Sequence, residues 1–201
     1  MKPIQALNPE QHAQSKAEFQ ELLHGTKRAG MDELLEWLDA DTDFYTAPAS
    51  SQFHGAYEGG LLIHSLSVYK YLRNFTKTLD NMQEDSLVIM GLLHDICKVN
   101  FFKKAIRNVK IPGERRWEEH EYYTIEDQFP MGHGEKSVYL AMRFISLTDE
   151  EAISIRWHMG GYDDAARAYA GGRAQSNAFS TYPTAAALNI ADMYVTHILG
   201  Q

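Results

Sequence analysis

The stretch Gln83-Glu84-Asp85-Ser86-Leu87-Val88-Ile89-Met90-Gly91-Leu92-Leu93-His94-Asp95-Ile96-Cys97-Lys98 decides how this chain folds. Its apolar residues fall on nearly every side of a helical wheel, and a helix apolar all round is a buried one. The spacing predicts a core helix over Gln83–Lys98, with the polar pair His94 and Asp95 emerging at its C-terminal end. Buried polar groups require partners, so other parts of the chain must converge on this helix end.

Helical spacing recurs on both sides of it. Glu10–Ala40 reads as two helices, and Met31-Asp32-Glu33-Leu34-Leu35-Glu36-Trp37-Leu38 carries apolar residues on one face. Asp41–Tyr57 is polar and turn-rich, hence a loop. Glu58–Leu79 is helical, with Leu62, Leu66, Tyr69 and Leu72 near one stripe and His64 among them. Phe101–Phe129 changes character: Pro112-Gly113 marks a turn and β-prone residues flank it, which predicts a small hairpin over about 103–128. Helices resume over Gly134–Ser146 and Asp149–His158, the latter opened by a capping-box pattern, Thr148 with Glu151. A short Ala-rich helix follows Gly160-Gly161, then a break at Gly171-Gly172, then a last helix over Thr184–Leu199. The expected fold is all-α, a helical bundle with one inserted β-hairpin, in a single domain over 1–201.

Composition narrows the function. The chain has 201 residues, 44% of them hydrophobic, a formal charge of −8, nine histidines and one cysteine. One cysteine, Cys97, excludes a disulfide framework and a thiolate zinc cage. No apolar run approaches the roughly 20 residues of a membrane span, and the N-terminus shows no secretory signal, so a cytoplasmic location and no membrane partner are expected. Net negative charge disfavours a long nucleic acid, whose non-specific binding comes from Lys and Arg on phosphates. It leaves room for a small phosphorylated ligand whose charge is met locally.

Six residues stand out together: His64, His94, Asp95, His133, His158 and Asp192. Counting His94 and Asp95 as one position, successive members lie 25 to 38 residues apart. Such spacing suits a bundle in which each helix points one ligand at a common centre. Imidazole with carboxylate suits Fe, Mn, Zn, Co or Ni without choosing among them.

The segments Gly59-Gly60-Leu61-Leu62-Ile63-His64-Ser65 and Leu92-Leu93-His94-Asp95-Ile96-Cys97-Lys98, with Asp192 in the last helix, resemble the H…HD…D signature of the HD-domain metal-dependent phosphohydrolases. His133 and His158 extend this to the H…HD…H…H…D pattern of two-metal members. From Phe44 to Leu199 the chain is also similar to the HD domain that certain bacterial 3′–5′ exoribonucleases carry beside an OB-fold, for which it has no room; residues 1–43 fall outside as an N-terminal helical extension. The resemblance implies an HD-domain bundle holding two divalent metal ions per chain. Asp95 would bridge them, with His64, His94 and Asp192 on one ion and His133 and His158 on the other. It further implies hydrolysis of a phosphate ester of a nucleotide or short oligonucleotide by metal-activated hydroxide, since two cations clamp a phosphoryl group and lower the pKa of a water.

Lys98, three residues beyond Asp95, falls on its helical face and is expected to reach a phosphate oxygen, acting with Asp95 in catalysis. His54, in the loop before the first ligand, is a candidate substrate contact. His120 and His197 read as incidental, the latter because five residues past Asp192 is off its α-helical face. Cys97 reads as an inert buried thiol, Lys136 and Arg156 as solvated or paired, and Trp117, Tyr122 and Tyr123 as packing for the hairpin. Gly160-Gly161-Tyr162-Asp163-Asp164 stands beside His158 and borders the same site. Two other functions share the signature: a di-iron oxygenase of the same superfamily, and a non-catalytic nucleotide-binding regulatory module. A degenerate module should have lost ligands, and none is missing here.

Overall fold

The structure, a computed structural model, describes residues 3–80 and 82–201. Among these residues the fold is mostly helical, with nine α-helices and one two-stranded antiparallel sheet. Among the described residues no helix is long and apolar enough to cross a membrane.

Helices α1 (Pro9–Gly25) and α2 (Met31–Ala40) precede the signature, yet Phe19, Leu23, Leu34 and Leu38 lie fully buried. They share one apolar cluster with Leu61, Leu62 and Leu72 of α3 (Gly60–Phe75) and with Leu92 and Leu93 of α4 (Glu84–Leu93). Helices α1 and α2 therefore complete the core around the two helices that carry His64 and His94. Each apolar side chain so buried contributes about 1.5–3 kcal/mol by removal from water.

Two glycines set the distances that matter. A side chain at Gly91 would lie 2.6 Å from the Tyr69 Cα, so its absence lets α3 and α4 cross closely enough to set His64 beside His94. A side chain at Gly134 would meet the Arg156 carbonyl oxygen at 2.1 Å, so α5 (His133–Met142) and α6 (Asp149–Trp157) approach equally closely. Each close approach pairs two of the helices that deliver site residues.

A buried charge cluster ties the same elements together. Glu151 accepts from Arg28 Nη1 at 2.8 Å and Nη2 at 2.7 Å, from Ser86 Oγ at 2.7 Å and from the Thr148 N–H at 2.9 Å. Thr148 in turn caps α6 by accepting from the Glu151 N–H, completing the expected capping box. Arg28, Ser86 and Glu151 thus join the α1–α2 connection to α4 and α6.

Strands β1 (Phe102–Lys110) and β2 (Trp117–Ile125) pair from Phe102↔Ile125 to Lys110↔Trp117, which is the hairpin expected between helices. Four expectations need correction. The helix read as Gln83–Lys98 ends at Leu93, because the His94 ring takes the Gly91 carbonyl at 2.9 Å that the next helical N–H would use. Ile96–Lys98 follows as a 3₁₀ turn. Gly171-Gly172 does not break the chain but opens α8 (Gly171–Thr181), after the single turn α7 (Asp164–Arg167). The helix read as Gly134–Ser146 begins at His133 and stops at Met142. The last helix, α9 (Pro183–Tyr194), widens into a π-turn over Val195–Leu199.

Candidate metal centre

The six singled-out residues arrive from five elements at one point. His64 comes from the second turn of α3, His94 and Asp95 from the end of α4, His133 from the first position of α5, His158 from the end of α6 and Asp192 from α9. His64, His94, Asp95 and His158 are essentially inaccessible to solvent.

Asp95 divides its two oxygens between two sets of partners. Its Oδ2 lies 3.4 Å from His64 Nε2, 3.5 Å from His94 Nε2 and 2.7 Å from Lys98 Nζ. Its Oδ1 lies 2.8 Å from His133 Nε2 and 3.5 Å from His158 Nε2. Asp192 Oδ1 sits 3.2 Å from His64 Nε2, on the first side. Donor atoms of His64, His94 and Asp192, of His94, Asp95 and His158, and of Asp95, Cys97 and His133 each fall within 4.8 Å of one another.

The outer nitrogens show what the inner ones are for. Nδ1 of His64, His94 and His158 meets the backbone carbonyl of Gln201 at 3.0 Å, Gly91 at 2.9 Å and Ile155 at 2.7 Å. A carbonyl only accepts, so each Nδ1 donates and each Nε2 is turned toward the centre. His64 Nε2 and His94 Nε2 stand 3.3 Å apart, two such atoms aimed at each other. His158 Nε2, fully buried, has no hydrogen-bond partner among the described residues. Imidazoles oriented through their far nitrogen, with convergent Nε2 atoms and carboxylates between them, fit a divalent metal. His133 differs: its Nδ1 faces Cys97 Sγ at 3.4 Å.

Electrostatics follow from this crowding. Burial pulls the His64 imidazolium down, but hydrogen bonds to Asp192 and Asp95 outweigh it and raise the ring to about 9. Burial dominates at His94, which falls to about 3. At Asp95 the charges of Lys98 and the surrounding imidazoles overcome burial and hold the carboxyl well below its usual range; Asp192 is depressed likewise, mainly by His64. Lys98 is raised, its burial offset by Asp95, so it stays charged.

A model of the HD domain matches residues 61–195, the stretch that supplies all six side chains. The chain belongs to the HD-domain family. That places it, at the level of the superfamily, among metal-dependent phosphohydrolases. Comparison with curated proteins and with solved structures gives no match.

The remaining expectations divide around the HD centre. Lys98, expected to reach a phosphate oxygen, borders the cavity from a 3₁₀ turn rather than along a continuous helix, and its ammonium is bonded to the Asp95 carboxylate. His54 lines the cavity over the centre, its ring centroid 5.3 Å from that of His64, and burial followed by the charge of Lys98 lowers it to about 4. Lys136 and Arg156 are paired, the first with Asp127, the second with Glu135 and Asp163. Trp117, Tyr122 and Tyr123 do not line the cavity; His197 and Tyr162 do. The incidental reading of His197 assumed α-helical turns, whereas Val195–Leu199 is a wider π-turn, closed by the Gly200 N–H on the Val195 carbonyl, and His197 lines the same cavity as Asp192. Gln201 and Cys97, which hold the far nitrogens of His64 and His133, were not anticipated as parts of the site. No sequence signal marks a backbone acceptor.

Proposed function

We propose that this HD domain hydrolyses a phosphate ester of a nucleotide or short oligonucleotide at a centre of two divalent ions. The observation that carries the reading is the division of Asp95, with Oδ2 toward His64 and His94 and Oδ1 toward His133 and His158. One carboxylate oxygen per set of imidazoles is what a bridging ligand between two ions requires. His64, His94 and Asp192 would complete one coordination sphere, His133 and His158 the other. Ions held there would supply an acidified water and neutralise charge on the phosphoryl oxygens.

The chain's own groups do the rest. Lys98 Nζ, 2.7 Å from Asp95 Oδ2, fixes that carboxylate and borders the cavity, where a second donor hydrogen can meet a phosphate oxygen. Phosphoryl transfer asks mainly for such positioning and charge stabilisation. His54, neutral at pH 7, can hydrogen-bond the ester without adding charge.

Metal content of anaerobically purified protein tests this, with wild type beside His133→Ala and His158→Ala. Two ions per chain, falling to about one in either variant, together with release of phosphate from nucleotide esters, is the expected result. One ion unchanged by both substitutions would overturn the two-ion centre, and turnover that depends on dioxygen would replace hydrolysis by oxygenation.

A further inference from the structure

A second groove runs along α5, and none of its lining residues lines the cavity over the metal centre. Its volume is about 260 Å³, just under the roughly 300–1,000 Å³ of drug-sized pockets, so its occupant is a small one. Lys136, Tyr139, Leu140 and the cap residue Arg143 form one wall, at the spacing of a single helical face. Val99 and Phe129 complete the apolar part of the lining. Phe129 and Tyr139 leave 44% and 47% of their surfaces open, with ring centroids 5.5 Å apart. The groove therefore presents aromatic surface that the core does not cover.

The groove is also cationic, in a chain whose formal charge is −8. Lys136 and Arg143 line it, and among its described lining residues there is no Asp or Glu. Lys136, only 5% exposed, is bonded to Asp127 at 2.7 Å. Arg143 differs. Its guanidinium lies over the Trp37 and Phe144 rings, 5.6 and 5.5 Å from their centroids, and has no carboxylate partner among the described residues. Neighbouring acids are engaged elsewhere: Glu126 by Lys103 and the Gln128 amide, Asp43 by the Asn100 N–H. Lys136 and Arg143 against Asp127 leave one positive charge unmatched.

We infer that this groove binds a small aromatic carboxylate. The Arg143 fork takes the carboxylate through two parallel N–H···O bonds, and the ring lies against Phe129, Tyr139 and Leu140. One negative charge meets the one unmatched positive charge, whereas a doubly charged anion would bring a surplus into a partly desolvated groove. The site is independent of the chemistry at the metal centre and stands whether or not an ester is cleaved there.

The test is fluorine NMR of 4-fluorobenzoate with the metal-loaded protein, beside 4-fluorobenzamide, which keeps the shape and lacks the charge. Both are measured with and without saturating inorganic phosphate, a competitor for the metal ions. The benzoate should bind at least tenfold tighter than the benzamide, with or without phosphate. Arg143→Gln should weaken it about tenfold, as loss of hydrogen bonds between charged groups does. Arg143→Lys, which keeps the charge and loses the fork, should lose part of that. Tyr139→Ala, a second variant in the same groove, should weaken benzoate and benzamide alike. Metal content and melting temperature should match wild type in the Arg143 variants, since that side chain is exposed. No binding of the benzoate, or equal binding of the benzamide, would overturn the inference. So would benzoate binding that phosphate displaces and Arg143→Gln leaves intact, because the probe would then sit on the metal ions.

Discussion

The Arg28–Glu151 cluster and the Asp95 centre are both buried, both charged, and both join segments far apart in sequence. They differ in how their bonding capacity is closed. Glu151 receives four donors, two of them from the guanidinium fork, and Arg28 spends a further hydrogen on the Ser146 carbonyl. Both oxygens of the buried Glu151 carboxylate are fully met. At Asp95 the surplus is on the other side: imidazole nitrogens face one another, and His158 Nε2 has no hydrogen-bond partner among the described residues. A closed network holds a fold, whereas an open one is built to receive something.

The sharpest way to break that contrast is to exchange the expected consequences. Asp95→Asn, which removes the charge between the two sets of imidazoles, should lower kcat/KM at least about a thousandfold, several kcal/mol of transition-state stabilisation. Its melting temperature, compared with wild type when both are in chelator, should fall less than that of Glu151→Ala, because the amide keeps an oxygen for Lys98. Loss of the folded state instead would make the centre part of the scaffold. Glu151→Ala should do the converse. Leaving Arg28 without its partner should cost about 3 kcal/mol, roughly a 10 °C fall in melting temperature for a chain of this length. Activity per folded molecule, assayed well below that temperature, should persist. A Glu151→Ala protein as stable as wild type would mean the cluster is ornamental.

The two regions were not equally readable beforehand. The centre was legible because its chemistry needs particular side chains in a particular order, and His64, His94-Asp95, His133, His158 and Asp192 supply them. In the closed cluster only the local half was legible. Thr148 and Glu151 stand three residues apart and announce a capping box, but Arg28 lies 123 residues from its partner and nothing in either neighbourhood names the other. Helix α8 escaped because two glycines look like a break, although a side chain at Gly171 would strike the Ala165 carbonyl at 1.6 Å. The glycine serves a close approach there, and the helix runs on from it. His197 was misplaced for a related reason: the period of a helix is visible in sequence, and a local change to π geometry is not.

Proton concentration should separate the regions further. His64 is raised to about 9 and His133 to about 10, so at pH 7 each ring holds a proton that an incoming cation must displace. Metal affinity should therefore fall about tenfold for each unit that pH drops below 9, per ion bound. Titrations at pH 6, 7 and 8 would read the slope, and a flat profile would show that neither ring holds a proton in the metal-free centre. Glu151 responds elsewhere. Burial opposes its ionisation, but Arg28, Ser86 and Thr148 together hold its pKa below the ordinary 4.5. Its contribution to stability is present above that value and is lost only as pH falls through the depressed one. Between pH 6 and 8 the centre should respond and the cluster should not.

The smallest expected effect tests where the open network ends. Gly200, in the left-handed conformation at φ 71°, turns the chain back so that the Gln201 carbonyl accepts from His64 Nδ1. The Gln201 side chain anchors this turn by accepting from Ser67 Oγ at 2.8 Å, one helical turn along from His64. The acceptor that orients a ligand is thus held by a residue beyond the matched family segment, which ends at 195. Ser67→Ala should loosen the anchor and weaken metal binding about tenfold, at the lower end of what outer-shell partners contribute. Gln201→Ala should match it, and Gln201→Glu, which keeps an oxygen for Ser67, should restore most of the affinity. Melting temperature in chelator should stay constant across the three, because no core residue is touched. If all three bind metal like wild type, the tail only decorates the site. If affinity falls and the glutamate rescues it, the centre is oriented from outside the segment that names it.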